Sequence, residues 1–313
     1  MQDNECKAFA KRIVQLYVVH SNIKKIWDML DSVLEHQQFM GSCNTPRHLF
    51  ITGKSSTGKS QLAKHYATSR PGYINIAENG DECDIRPVVY VELPDPFTIL
   101  ELYQSIIRAL GAPTFKSQPR IGEVKDRAFK LIAKQRVQMI ILDEMNYILS
   151  SKYVKHVEAM EAIKYIGNTA NVSLVCMGSP ETAALRQLNF QYFRRFTHLK
   201  LEKFQSCDEG FCALLGSIEE QIAPSTRIGL GDVKTKLPLL IFHMSKGLVG
   251  IVTETIQEAY RLNGVFDDSF NDITKAQINA DILYKAYQNI VGDIPESEFN
   301  KMLESDKCKV VSK

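Results

Sequence analysis

The chain has 313 residues, a formal charge of +2, 44% hydrophobic and 24% charged residues, an ordinary composition for a soluble globular protein. Its length predicts one α/β domain with a smaller one appended. The near-zero charge excludes a global nucleic-acid signal, so any DNA contact must come from a local basic patch or from an assembly that sums weak contacts. No apolar run approaches the roughly eighteen residues of a membrane span, and the start "MQDNECKAFAKR" lacks a signal peptide's apolar core. No membrane contact and a cytoplasmic location are therefore expected. Cysteines at 6, 43, 83, 176, 207, 212 and 308 are odd in number and scattered, which predicts reduced thiols. Cys207 and Cys212 are the only close pair and no matching Cys or His pair follows, which argues against zinc.

In chain order, "HSNIKKIWDMLDSVLEHQQ" comes first, with Ile23, Ile26, Trp27, Leu30, Val33 and Leu34 at helical spacing. The strand-like run "HLFIT" (48 to 52) then leads into "GKSSTGKS" (53 to 60) and the helical "QLAKHYA". In this loop Gly53 and Gly58 permit backbone angles that let consecutive N–H groups of Gly53, Lys54, Ser55, Ser56, Thr57, Gly58, Lys59 and Ser60 curl around phosphate. Lys59 would reach the β and γ phosphates, and the Ser60 hydroxyl would ligate Mg²⁺. A strand before and a helix after are the context this spacing requires, so nucleotide binding is the reading.

Further strand-like runs follow: "VVYVEL" (88 to 93), "MIILD" (139 to 143), "SLVCMG" (173 to 178) and "HLKL" (198 to 201). Helical patterns such as "TILELYQSIIRAL" and "HVEAMEAIKYIGNTA" separate them, which implies a mostly parallel, two-sided sheet. In "QMIILDEMN" a buried strand ends in two acids, which is costly unless a cation or donors meet them. Asp143 would hold Mg²⁺ through water and Glu144 would polarise the attacking water. The alternative makes Asp143 a helix cap and Glu144 a solvated side chain. In "RQLNFQYFRRFTHLKL", Arg194 and Arg195 fall before the last strand, where a side chain could reach the γ-phosphate bound by a neighbouring subunit; a surface pair that anchors acidic groups is the alternative. After residue 205 the strands stop, and "EGFCALLGSIEEQI", "LPLLIFHM", "GIVTETIQEAYRL" and "ITKAQINADILYKAYQNI" read as a small helical domain. The expected division is an N-terminal helical segment (1–45), a nucleotide-binding core (46–205), a helical lid (206–292) and a polar tail (293–313).

The order "GKSSTGKS", "LDEMN", "SLVCMGSPETA", "RRF" and a helical lid resembles an AAA+ ATPase. More narrowly, "VEAMEAIKYIGNTANVSLVCMGSPETAALRQLNFQYFRRF", "VVYVELPDPFTILELYQSIIRALGAP" and "SKGLVGIVTETIQEAY" are similar to the TniB/TnsC transposition regulators, over roughly residues 20 to 290. The resemblance implies an AAA+ P-loop core with a parallel five-stranded sheet and a small α-helical lid. It also implies an ATP- and Mg²⁺-dependent ATPase that assembles as a homo-oligomeric ring or filament on double-stranded DNA and links a target-selection module to transposase subunits. In some elements of this kind, the CRISPR-associated transposons, the selector is a CRISPR effector working through a TniQ-type adaptor. Carried over by position, Ser179 lies near sensor one, and Arg195 is the preferred arginine finger with Arg194 as competitor. One departure is that Gly250 is followed by Ile251 and Val252 where many lids place an arginine; Lys246 is the substitute expected to bring positive charge to the nucleotide.

The loop "GAPTFKSQPRIGEVK" carries Lys116, Arg120 and Lys125, which in a ring can face the pore and bind DNA phosphates without reading bases; a solvated loop is the alternative. Thr98, at the start of the preceding helix, is a further candidate for that surface. A replication initiator or helicase loader with the same core is the competing reading. Such a protein would be expected to append a helix-turn-helix domain, whereas only the polar tail follows residue 292 here.

Overall fold

The computed structural model describes residues 2–39, 45–76, 80, 82–113, 115, 119–292 and 297. In chain order the elements are α1 (Gln2–Val14), α2 (Ser21–Gln38), β1 (His48–Thr52), α3 (Lys59–Thr68), β2 (Tyr73–Ile76), β3 (Glu82–Ile85), β4 (Val88–Glu92), α4 (Ile99–Ala109), α5 (Ile121–Lys134) and β5 (Met139–Asp143). They continue with α6 (Asn146–Ser150), α7 (His156–Ala170), β6 (Ser173–Gly178), α8 (Ala183–Gln187), α9 (Phe190–Arg195), β7 (Phe196–Lys200), α10 (Glu209–Ile222), α11 (Leu237–Ser245), α12 (Val249–Leu262) and α13 (Ala280–Val291). The described residues form two compact units, one from 22–55 and 59–201, the other from 1–21, 56–58 and the residues after 201. Residues 1–21 thus go with the C-terminal helices, and the rest of the expected N-terminal segment goes with the sheet.

In the first unit, five parallel strands are ordered β4-β5-β6-β1-β7. Every residue of β1, β5 and β6 is buried, because the crossover helices cover both faces of a parallel sheet and leave no side for water. The register aligns Thr52 with Gly178 and Glu92 with Asp143, so the carboxyl ends of the central strands finish level. That edge is where an open α/β sheet places its ligands. Phe50, Leu102, Ile106, Ile140, Ile163 and Leu174 belong to the core on which this edge is built.

Two features differ from the sequence expectation. An antiparallel pair, β2 with β3, precedes β4, although its exposed Tyr73, Ile74 and Ile76 give no inside-outside alternation to read. Strand β7 begins at Phe196, directly after Arg195, because His48 pairs with Phe196 at the start of the β1 ladder.

The second unit packs α1 with α10 to α13 around Phe9, Ile13, Phe211, Leu214, Ile256, Tyr260 and Leu283. Phe9 meets Tyr260 edge-on at 5.5 Å, and Arg12 Nε donates to the Ile222 carbonyl at 2.9 Å. Residues 56–58 of the loop cluster with this unit, where the Gly250 N–H donates to the Ser56 carbonyl at 2.8 Å. A Cβ on Gly250 would come within 2.8 Å of that oxygen, so this residue in the first turn of α12 is held to glycine by close approach. Among the described residues no single helix is long and apolar enough to cross a membrane; α11 and α12 pass together on composition but bend by 117°. The five described cysteines carry no disulfide; Cys43 and Cys308 lie outside the described residues.

Candidate nucleotide site at the strand ends

The loop from Gly53 to Ser60 joins the end of β1 to the first turn of α3. Ser56 and Gly58 adopt left-handed backbone angles, φ 58° and 91°, the alternation that lets a loop turn successive N–H groups toward an anion at a helix N-terminus. Lys59 Nζ donates to the carbonyls of Gly53 and Lys54, both at 2.8 Å. Burial lowers the affinity of this amine for its proton, while the carboxylates of Asp143, Glu144 and Glu181 oppose that effect. The lysine therefore stands among acids at the mouth of the loop.

Asp143 closes β5 and is fully buried. Its Oδ2 accepts from the Tyr90 hydroxyl at 3.0 Å and its Oδ1 from the Glu144 N–H at 2.9 Å. These donors meet the cost of burying a carboxylate and fix its orientation. Burial, with Asp143 next, pushes the Tyr90 phenol up, so that it remains a donor. Glu144 takes a left-handed φ of 59°, an uncommon angle for a side-chain-bearing residue that concentrates at functional sites. Its Oε2 accepts from Asn146 Nδ2 at 2.8 Å, and Asn146 Oδ1 accepts from the Ser179 N–H at 2.9 Å.

Ser179 follows Gly178 at the end of β6. The Gly178 carbonyl accepts from the Gly53 N–H at 3.2 Å, and a Cβ on Gly178 would meet Thr182 Cγ2 at 2.7 Å and Met145 Cβ at 3.1 Å. Glycine here lets three strand ends and the loop meet. A hydrogen bond from the Ser179 side chain holds the exposed Glu181 carboxyl below its ordinary range.

The structure thus brings together the loop, Asp143, Glu144 and Ser179. A hydroxyl and a carboxylate are the hard oxygen donors that suit Mg²⁺, which takes few protein ligands when phosphates supply the others; among the described residues no group of three or more His, Cys, Asp or Glu could hold a metal by itself. Asn146, Tyr90 and Glu181 were not expected. The adjacency in "DEMN" hinted at Asn146, but its second partner lies 33 residues away.

The remaining candidates have these surroundings. Arg194 and Arg195 form the last turn of α9. Arg195 Nη1 donates to Asn168 Oδ1 at 2.9 Å, whereas Arg194 is exposed and has no partner among the described residues. On the same short helix Phe190 and Phe193 are 74% and 49% exposed. Lys246 ends α11 with φ 52°, and its carbonyl accepts from Lys203 Nζ at 2.7 Å.

Of the proposed DNA residues, Thr98 caps α4 by accepting from the Glu101 N–H at 3.1 Å. Lys125 Nζ lies over the Tyr165 ring at 4.3 Å. Arg120 precedes α5, its N–H donating to Glu123 Oε2 at 3.2 Å while its side chain is exposed. Lys116 lies outside the described residues.

The family model described as Bacterial TniB protein matches residues 12–206. No curated protein sequence matches the chain. Among solved structures, the chain is similar to the ORC1 protein of Aeropyrum pernix in complex with DNA at 16% identity and a TM-score of 0.60, covering 90% of this chain and 69% of that one. It is similar to Cdc6p from Pyrobaculum aerophilum at 12% identity and a TM-score of 0.61, covering 92% and 73%. For the Aeropyrum pernix ORC2 protein in ADPNP-ADP complexes the values are 14%, 0.57, 90% and 70%. Identities this low establish a likeness of fold alone. The family model takes in more than half of the chain and the whole of the five-stranded sheet, so the chain belongs to the TniB family and has an AAA+ ATPase fold.

Proposed function

We propose that the chain is an ATP-dependent transposition regulator, a Mg²⁺-dependent ATPase that assembles on double-stranded target DNA and links a target-selection module to the transposase. The observation that carries this reading is the convergence of Lys59, Asp143, Glu144 and Ser179 at the level ends of β1, β5 and β6, in a chain of the TniB family. The backbone of residues 53–60 would cradle the phosphates, Lys59 would reach the β and γ groups, Ser60 would ligate the metal and Asp143 would hold it through water. Mg²⁺, when bound, supplies neutralisation of phosphate charge. Glu144 orients and polarises the attacking water with the oxygen that Asn146 leaves available. Ser179 senses the γ-phosphate end, and Lys246 substitutes for the missing lid arginine.

Hydrolysis is completed by an arginine of the 194–195 pair entering the site of a second copy, so the isolated chain binds ATP and turns it over slowly. The exposed Phe190 and Phe193 beside that pair support a self-association surface. In a ring or filament, the surface that carries Arg120, Lys116, Lys125 and Thr98 faces the DNA path, with the exposed Arg120 as the side chain that contacts phosphate without reading bases. The partners are transposase subunits and a TniQ-type adaptor, with a CRISPR effector upstream in some elements, in the cytoplasm. The family match favours this reading over an initiator or helicase loader, to which the likeness is one of fold.

Electron microscopy of the protein with linear duplex DNA, with and without a slowly hydrolysed ATP analogue, tests the reading. Rings or filaments that require both ligands are expected. Monomers under every condition would overturn it and point to a self-contained P-loop enzyme.

A further inference from the structure

Three hydrogen bonds run from the phosphate loop to the catalytic carboxylate through one planar unit. The Gly178 carbonyl, which accepts from the Gly53 N–H at 3.2 Å, and the Ser179 N–H, which donates to Asn146 Oδ1 at 2.9 Å, belong to the same peptide group. A peptide moves as a rigid plate, so a displacement of the loop at Gly53 that tilts it displaces the asparagine as well. Asn146 Nδ2 then donates to Glu144 Oε2 at 2.8 Å.

The orientation of this amide is settled by its partners. A backbone N–H can only donate, which fixes Oδ1 toward Ser179 and turns the amide nitrogen toward the carboxylate. Asparagine meets both demands at once; aspartate would set a second carboxylate against Glu144, and alanine would leave Glu144 free to rotate. The left-handed backbone of Glu144 adds to the need for a tether, because the two bonds to its neighbours hold a conformation that the residue rarely adopts alone.

We propose that Asn146 is the positioning residue for Glu144, and that it takes its own position from the phosphate loop through the 178–179 peptide. Contact between ligand and loop is thereby conveyed to the carboxylate that activates water. The inference rests on the reading of this site as an ATP-hydrolysing centre, in which Asn146 itself touches neither nucleotide nor metal.

The test compares Asn146→Ala, Asn146→Asp, Ser179→Ala and Ser179→Pro with the wild type. Steady-state Mg-ATP hydrolysis is measured in the presence of duplex DNA, alongside binding of a fluorescent ATP analogue. Asn146→Ala lowers kcat by roughly 10- to 100-fold while the analogue's Kd is unchanged, the loss expected from a misplaced catalytic group. Asn146→Asp lowers kcat as well, because a carboxylate at that place has no donor to offer Glu144. Ser179 has φ −67°, so proline fits its backbone; both variants lose the hydroxyl, and proline alone also loses the backbone donor. Ser179→Pro therefore falls below Ser179→Ala in kcat, and adding Asn146→Ala to it costs nothing further.

A kcat for Asn146→Ala within about twofold of wild type would overturn the positioning role, as would an equal loss of binding. Ser179→Pro matching Ser179→Ala would overturn the relay. A wild type without any hydrolysis would overturn the reading of the site itself, and the inference with it.

Discussion

The strand-end cluster and the basic residues at the periphery of the sheet unit use polar groups in opposite ways. At the strand ends, Lys59, Asp143, Glu144, Asn146 and Ser179 come from three separated stretches of chain and converge on one place. At the periphery, Thr98 caps its own helix, Lys125 lies on Tyr165 and Arg195 is bound to Asn168. These groups have duties within the chain, which Arg194 and the side chain of Arg120 lack among the described residues. The contrast teaches that a charge pattern names candidates, and that the in-chain partner distinguishes a structural group from one available to an external ligand.

The largest expected effect that could break this contrast lies in the arginine pair. Arg194→Ala is expected to lower DNA-stimulated kcat on the order of 10³-fold, the loss of a trans-acting finger. Arg195→Ala should lower it far less, because its guanidinium is already held by Asn168. Steady-state hydrolysis at a protein concentration that gives assembly checks both, and the reverse ranking would return the role to Arg195.

A smaller effect sharpens the contrast on the DNA side. Arg120→Ala should reduce the slope of log affinity against log salt by about one phosphate contact, whereas Lys125→Ala should leave it unchanged. Fluorescence anisotropy with a labelled duplex over a salt series reads this directly. Equal slope changes for the two variants would show that stacking on Tyr165 does not withdraw a lysine from DNA.

How far the sequence discloses the molecule follows from the range of the interactions concerned. The phosphate loop and the acids at the end of β5 are legible because each is a local spacing flanked by apolar runs, and the buried central strands read as continuous hydrophobic stretches. The β2–β3 pair is illegible because β2 is largely exposed and without period-2 alternation, while β3, which does alternate from Glu82 to Ile85, is only four residues long. The place of α1 is set by bonds such as Arg12 to Ile222, 210 residues apart, which no local pattern encodes. Asn146 stands between these cases: one partner is two residues away and visible, whereas the other becomes a neighbour only when β5 and β6 pair.

The central claim is that the strand-end cluster hydrolyses ATP with Glu144 as the group that activates water. Its most direct test is Glu144→Gln, with nucleotide binding and steady-state Mg-ATP hydrolysis measured on the same preparation alongside wild type. The account predicts unchanged ATP binding, hydrolysis reduced by roughly 10²- to 10⁴-fold, and persistence of the nucleotide-dependent assembly on DNA. Hydrolysis at the wild-type rate, or loss of binding along with hydrolysis, would contradict it and leave Glu144 a structural residue.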